Sequence, residues 1–421
     1  MKYKILVVYD FAPVTKLRSA IRDHLYAFKN NSDHDVFYLN LGYREKAPWH
    51  VAKMQFDLII FHTYFFTSRW DDLGFERTMR KAAFLKEMNA VKVGMPQDEH
   101  FKTDYICRII DEFNLDVVFS VGPESEWPKF YGNLNNRSVK IRPVLTGYLD
   151  LKTLATINTL AGRIHERPID ISYRARRVEP SLGRHGSLKP MIADVFMAQG
   201  KDKPLIMDIS TKAEDTIVGD DWYRFLLESK YTIGVEGGAS IIDRDGSLRS
   251  KTIAYMKEHP GATYEEVEGN CFPGMEGTLQ YYAISPRHLE ACATRTCQVL
   301  IEGQYNGILE PNRHYIELKR DFSNVQEVLD LIVQDKVRQQ LVDNAHADIV
   351  QSGRYTYQSF VSVVLMESLN RPPQTKKGPW DSLICRWNWL QEVIHPTRIK
   401  TIRRYRSWKN GMKKKLGAPK K

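Results

Sequence analysis

The stretch Ser285 to Leu309, SPRHLEACATRTCQVLIEGQYNGIL, concentrates side chains able to meet a polar ligand. Ser285 suits the N-cap of a helix, and Pro286 suits its first turn, where a missing N–H is no loss. That helix carries Arg287, His288 and Glu290; the strand-like run Cys297–Ile301 follows, then a loop holding Tyr305, Asn306 and Gly307. A carboxylate such as Glu290 is acceptor-only and can receive hydroxyl donors. Cations and backbone N–H groups stabilise developing negative charge. Arg174 and Arg176 close one apolar run, Lys189 follows an expected glycine loop at Gly183–Gly186, and Glu236-Gly237-Gly238 ends another run. In the first half, Asp10, His62 and Gln97-Asp98-Glu99-His100 fall at expected strand ends. Of these, Asp98, Glu99 and His62 are candidates to orient or deprotonate a hydroxyl. Ligands of open α/β sheets sit at the carboxyl ends of strands, beside helix N-termini, so Ser285–Leu309 is expected to form one wall of a site.

The elements that must position these groups alternate. Strands are expected at 4–9, Val36–Leu39, Leu58–Thr63, Val91–Met95, Val117–Val121 and Val139–Val144, with helices at Leu17–Phe28, Phe75–Met88, Asp104–Phe113 and Leu151–Ile164 between and after them. Continuous apolar runs alternating with helical patterns indicate a parallel sheet covered on both faces. A second alternation starts at Ile169, with strands at Ile169–Tyr173, Leu205–Ile209, Tyr231–Val235, Cys297–Ile301 and Tyr315–Leu318. Its expected helices include Leu188–Gln199, Trp222–Ser229, Val337–Val350 and Tyr357–Leu369; Ser323-Asn-Val-Gln326 has the form of a capping box. Residues 246–280 interrupt this order with a helix at Leu248–Glu258 and a second capping box at Thr263–Glu266, an excursion of the kind that serves as a lid or as a plain surface insertion. The expected architecture is α/β, two tandem Rossmann-like domains facing a cleft: 1–166, 167–370, and a linker with a basic aromatic tail at 371–421.

Length alone favours two domains in a chain of 421 residues, and 43% hydrophobic with 27% charged residues is a soluble globular composition. No stretch reaches the roughly 18–20 apolar residues of a membrane span, and MKYKILVVYD does not read as a signal peptide. The expected location is cytoplasmic. Five scattered cysteines form no C-x-x-C pair and are expected to be buried thiols rather than zinc ligands or disulfides. The net charge of +10 resides in Pro396–Lys421, which holds eleven Lys/Arg and no Asp or Glu. A nearly neutral body argues against a nucleic-acid enzyme. Basic residues interleaved with Ile399, Ile402, Tyr405 and Trp408, after a helical pattern at Trp380–Ile394 with Trp380, Trp387 and Trp389, suit an anionic membrane surface at its inner face; a solvated tail is the alternative.

From about residue 165 to 369 the chain resembles the retaining glycosyltransferases of the GT-B fold, group-1 type, with a C-terminal domain like that of spore-coat maturation glycosyltransferases. The residues that carry this are Asp170-Ile-Ser-Tyr-Arg-Ala-Arg176, Leu182-Gly-Arg-His-Gly186, Tyr231-Thr-Ile-Gly-Val-Glu-Gly-Gly-Ala-Ser240, Ser285-Pro-Arg-His-Leu-Glu-Ala291, Tyr305-Asn-Gly-Ile-Leu309 and His314-Tyr-Ile316, in that order. The resemblance implies a nucleotide-sugar donor and a glycan or lipid-linked hydroxyl acceptor in cell-envelope or surface glycan synthesis. It implies that Glu290, matching the second glutamate of the family's Glu-x7-Glu motif, receives the ribose hydroxyls. Tyr282 stands eight residues before Glu290, where that motif has its first glutamate.

It further implies that Arg174 or Arg176, with Lys189 and assistance from Arg287, neutralises the leaving diphosphate. Tyr305-Asn306-Gly307 is expected to give N–H groups to phosphate or sugar, and Gly237 and Gly238 to allow close backbone approach. The acceptor is expected to attack on the leaving-group face, without a protein nucleophile. Asp243-Arg-Asp245 spells D-x-D, but the following Gly246 makes a turn the better reading, and neither a metal nor a tightly bound cofactor is expected. A sugar-nucleotide epimerase of the same fold and a non-catalytic glycan- or membrane-binding module are the alternatives.

Overall fold

The computed structural model describes residues 2–11, 19–44, 46–135, 138–369, 372–373, 375 and 378–393. Strands β1 (Lys4–Tyr9), β2 (Asp35–Asn40), β3 (Leu58–Phe61), β4 (Val91–Gly94), β5 (Val117–Ser120) and β6 (Lys140–Pro143) form one sheet in the order β2-β1-β3-β4-β5-β6, parallel throughout. Every residue of β1 is buried, and the two faces share it by alternation. Leu6 and Val8 enter one core cluster while Ile5, Val7 and Tyr9 enter the other. Burial on both faces is why the strand reads as a continuous apolar run.

The second sheet contains β7 (Ile169–Arg174), β8 (Met207–Ser210), β9 (Ser229–Gly234), β12 (Cys297–Ile301) and β13 (Tyr315–Leu318), in the order β13-β12-β9-β7-β8 and again parallel. Read from β8, this is the 2-1-3-4-5 order that begins the first sheet. Each sheet therefore has a topological switch point, between β1 and β3 and between β7 and β9, where connections leave to opposite faces and open a crevice at the strand ends.

Between β9 and β12 the chain departs into a short antiparallel pair, β10 (Gly237–Ala239) and β11 (Tyr281–Ala283), that encloses the expected excursion. Gly238 has φ +133°, and a Cβ there would lie 1.7 Å from the Tyr281 carbonyl oxygen, so strand pairing itself requires glycine. The excursion has a small core of Ile241, Leu248, Val267, Cys271 and Phe272, and the Thr263–Glu266 capping box is present at the start of helix Tyr264–Cys271. It docks on the first domain: the Asp243 N–H donates to the His100 carbonyl at 2.8 Å, and Leu279 and Tyr281 join the core under the first sheet.

Several elements differ from expectation. Gly183–Gly186 is the first turn of helix Gly183–Gln199, not a loop preceding it. Ser323 does not cap: Asn324 occupies the N-cap of Val325–Gln334 and turns its Oδ1 to the Lys319 N–H at 2.9 Å. The expected helix 337–350 is Arg338–Ala345 continuing into a π-helical turn, His346–Gln351. Helix Tyr357–Ser368, expected in a second domain ending at 370, packs Tyr357, Phe360, Val361 and Val364 against Ile5, Val7 and Tyr9 of the first sheet. A helix over 381–393 also lies on the first domain. All five cysteines are free and buried. The Pro396–Lys421 segment lies outside the described residues.

Candidate functional site

A cavity of about 430 Å³ opens at the carboxyl ends of β7 and β9, the switch point of the second sheet. Ala20 and Ile21 of the first domain close one side of it; Arg176, Lys189, Trp222, Arg287 and Glu290 are among the residues lining the remainder. Helix Pro286–Ala293 reaches it through a tightly tied start, where the His288 Nδ1 accepts the Ser285 N–H at 3.0 Å. Arg287 and Glu290 lie three residues apart within that helix, on one face.

Glu290 is half-buried, and its Oε2 accepts from the Trp222 indole Nε1–H at 2.8 Å. The other carboxylate oxygen has no partner among the described residues. Burial pushes the Glu290 carboxyl up, opposed by the Trp222 hydrogen bond and the Arg287 charge. Arg287 lies 5.2 Å from the Trp222 ring centre and donates to the Arg174 carbonyl. Trp222 thus holds both groups in place. Nothing in its sequence context distinguishes it, since only the tertiary packing of helix Asp220–Leu227 brings it to Glu290.

Both arginines left open by sequence line the cavity, but Arg174 is engaged within the protein. Its Nη2 pairs with Asp208 Oδ1 at 2.8 Å, its Nη1 donates to the carbonyls of Tyr173 and Asp208, and its guanidinium lies 4.4 Å from the Phe225 ring. Arg176 is exposed at the cavity and makes no ion pair among the described residues. Lys189, in helix Gly183–Gln199, is half-buried. Its amine is pushed down by burial first and by Arg287 second, with Asp98 opposing. An anion bound here would remove that strain on the charged form.

The glycine-loop expectations are corrected. Glu236 is buried at 1% exposure and accepts from the N–H groups of Tyr305 at 2.6 Å and Gln304 at 3.2 Å. Tyr305 is itself fully buried, the Gly307 N–H donates to the Gln304 carbonyl at 2.8 Å, and Asn306 Oδ1 receives the Ile284 N–H at 2.7 Å. Glu236 therefore organises the Tyr305–Gly307 turn, whose Tyr305 and Gly307 N–H groups are engaged within the protein. Gly237 does line the cavity, whereas Gly238 serves the β10–β11 pairing.

Tyr282 on β11 stacks on His185 with ring centres 4.0 Å apart, and the Arg320 guanidinium lies 5.5 Å from its ring. His185 is 1% exposed, places its Nε2 3.2 Å from the Glu236 carbonyl oxygen and leaves Nδ1 without a partner among the described residues. Burial lowers its imidazole to about 4.

On the first domain, two of the three candidates expected to meet a hydroxyl are buried and engaged within the protein. His62 is 2% exposed; its Nδ1 accepts the Tyr64 N–H at 3.1 Å, so its Nε2 carries the proton and donates to His24 Nδ1 at 2.8 Å. Glu99 is fully buried, receiving Ser120 Oγ at 2.9 Å, the Val121 N–H at 3.0 Å and the Tyr281 hydroxyl at 2.8 Å. Asp98 remains: it is exposed, makes no ion pair among the described residues, and its charge acts on Lys189 across the cleft. His100 is 5% exposed with both ring nitrogens unpartnered among the described residues, and its charged neighbours are Asp98, Arg69 and Lys189. Asp10 receives a hydrogen bond from Thr78.

Asp243 is a capping residue, since its carboxylate accepts the N–H groups of Gly246 at 2.9 Å and Arg249 at 2.9 Å at the start of helix Ser247–Glu258.

Comparison with models of known protein families and with curated proteins returns no match. Among solved structures, the chain is similar to Anabaena Alr3699/HepE in complex with UDP, at 10% identity over 87% of this chain and 100% of that one, TM-score 0.45. It is also similar to TarM, at 14% identity over 75% of this chain and 55% of that one, TM-score 0.38. A third similarity is to the DNA-modifying enzyme β-glucosyltransferase, at 10% identity over 86% of this chain and 98% of that one, TM-score 0.48.

Proposed function

We propose that the protein transfers a sugar from a nucleotide-sugar donor to a hydroxyl acceptor. The observation that supports this most directly is the Glu290 carboxylate, with one oxygen bound to Trp222 and the other unpartnered among the described residues, in a cavity that also holds Arg176, Lys189 and Arg287. A ribose diol offers two O–H donors to such a carboxylate. The cations suit the diphosphate, on which charge develops as the bond to the sugar C1 breaks. In this reading Arg176 and Lys189 stabilise the leaving group and Arg287 assists from the helix start. The acceptor oxygen attacks C1 on the leaving-group face, giving retention, and its proton passes to the departing phosphate oxygen. Asp98 orients the acceptor hydroxyl from the opposite domain. No metal is invoked, because the cations supply the charge.

The acceptor in this reading is a glycan or lipid-linked hydroxyl of the cell envelope, met at the inner face of a membrane. Isothermal calorimetry with UDP and other nucleoside diphosphates tests the donor side. Glu290→Ala is expected to weaken nucleotide binding by about 10- to 100-fold, the value of a hydrogen bond to a charged acceptor. Unchanged affinity in that variant, with the fold intact by circular dichroism, would remove the assignment. Incubating donor without acceptor separates transfer from epimerisation, since an epimerase converts the donor alone.

A further inference from the structure

β2 is an end strand of the first sheet, and helix 381–393 runs along its open edge. Asn388 stands in for a neighbouring strand: its Nδ2 donates to the Tyr38 carbonyl at 3.0 Å and its Oδ1 accepts the Tyr38 N–H at 2.7 Å. Cys385 Sγ contacts the Val36 carbonyl at 3.4 Å, and Asp381 pairs with Lys4 at 2.5 Å. Such cover blunts an edge that would otherwise recruit another chain. These contacts also fix the rotation of the helix about its axis, and so determine what it turns outward.

The outward face is apolar and carries no acid. Leu383, Trp387, Leu390 and Val393 are exposed at 55%, 55%, 50% and 54%, with Trp380 just before the helix at 66% and Arg386 among them. Trp380, Leu383, Trp387 and Leu390 recur at the 3-4-3 spacing of one helical stripe. Both acids of the helix, Asp381 and Glu392, are turned inward, at 8% and 7% exposure. Burial pushes Glu392 up to about 8, so it adds little negative charge at neutral pH. Directly beyond the helix the sequence continues into Pro396–Lys421, with eleven Lys/Arg and no Asp or Glu.

We propose that the outward stripe of helix 381–393, with the basic sequence that follows it, docks the protein on an anionic lipid surface. Tryptophan and leucine with arginine and no exposed acid is the composition of a helix lying in the headgroup region, and the basic run supplies the attraction to anionic lipid. A second copy of the chain is the poorer occupant, because joining two stripes would bring two such cationic segments together. The stripe is attached to the first domain through β2, so docking would hold that domain, which carries Asp98, at the surface. The proposal does not rest on sugar transfer, and its test needs neither donor nor acceptor.

Co-sedimentation of the full chain with vesicles of phosphatidylcholine containing phosphatidylglycerol, against phosphatidylcholine alone, measures the effect. Binding to the anionic vesicles, weaker with added salt, and quenching of tryptophan emission by brominated lipid are expected. The triple variant Leu383→Ser, Trp387→Ser, Leu390→Ser is expected to bind roughly tenfold or more weakly, as interfacial affinity scales with apolar area buried. Its melting temperature checks folding, and Arg386→Gln with Trp387→Ser provides a milder second variant. Equal vesicle binding by wild type and both variants would overturn the proposal in favour of charge alone. Absence of binding by wild type would overturn it outright, as would a dimer in light scattering that the stripe variants dissociate.

Discussion

At the scale of single residues, partners decide which candidates remain available for chemistry. Arg174 and Arg176 are two positions apart, indistinguishable by type, and both line the cavity, yet Arg174 is held by Asp208 and Phe225 while Arg176 makes no ion pair among the described residues. Arg176→Ala and Lys189→Met are expected to lower kcat by roughly a hundredfold, the usual effect of removing one preorganised charge from a developing anion. Arg174→Ala is expected instead to lower the melting temperature, leaving Asp208 unpaired, with kcat reduced less than tenfold. Steady-state kinetics paired with thermal melts on the three variants separates the two roles. The same partner logic shows His62 and Glu99 engaged within the first domain and Asp98 exposed. Titratable residues after strands were legible in the sequence; their sequestration was not, because His24 and Tyr281 come from 38 and 182 residues away.

At the scale of elements, local signals succeeded where their bonds close within one turn. Thr263–Glu266 forms its reciprocal cap, and Ser285–His288 closes through the imidazole. Ser323-Asn-Val-Gln326 has the same pattern but fails, because Asn324 reaches back to Lys319 and to the Glu317 carbonyl at 3.0 Å, a tertiary option that the pattern does not contain. The 381–393 helix yields a pH test. Glu392 rises from the ordinary 4.5 to about 8 by burial, so the folded state binds the proton more tightly than the unfolded chain. That stabilisation is fully present below 4.5 and is lost as pH rises through about 8. Glu392→Gln is expected to remove this slope, so the variant gains on wild type with rising pH, by on the order of a few kcal/mol across the window. Urea denaturation of both proteins at several pH values checks it, and parallel curves would refute it.

At the scale of the whole molecule, the two domains are tied by the excursion from the second. Tyr281 on β11 donates its hydroxyl to Glu99 Oε2 at 2.8 Å and receives the Asp98 N–H at 3.1 Å, inside the core of the first domain. Tyr281→Phe leaves a buried carboxylate oxygen and a backbone N–H short of a partner, and is expected to destabilise the protein by about 1–3 kcal/mol. Because Asp98 sits at that contact, the variant is also expected to raise the KM for acceptor more than that for donor. Chemical denaturation and two-substrate kinetics measure the two effects. Helix Tyr357–Ser368 makes a reciprocal tie, returning to the first sheet after the second is complete.

What the sequence determined by itself was the periodic part. Strands such as Lys4–Tyr9, Cys297–Ile301 and Tyr315–Leu318 were readable to the residue, because burial on both faces favours a largely apolar run, even with Gln298 and Glu317 inside two of them, whatever lies beyond it. Their alternation with helices implied two parallel sheets, and the Ser285–Ala293 helix start placed Glu290 beside a strand end. What only the tertiary structure decided was pairing across distance: Trp222 with Glu290, Asp208 with Arg174, Glu236 with the Tyr305 N–H, and Tyr282 with His185. Such contacts leave no periodicity, since a hydrogen bond or a ring stack depends on where two chain segments meet and not on the spacing within either. The Ser285–Leu309 stretch shows both halves of this: its helix forms the cavity wall, while Tyr305 and Gly307 hold the turn together.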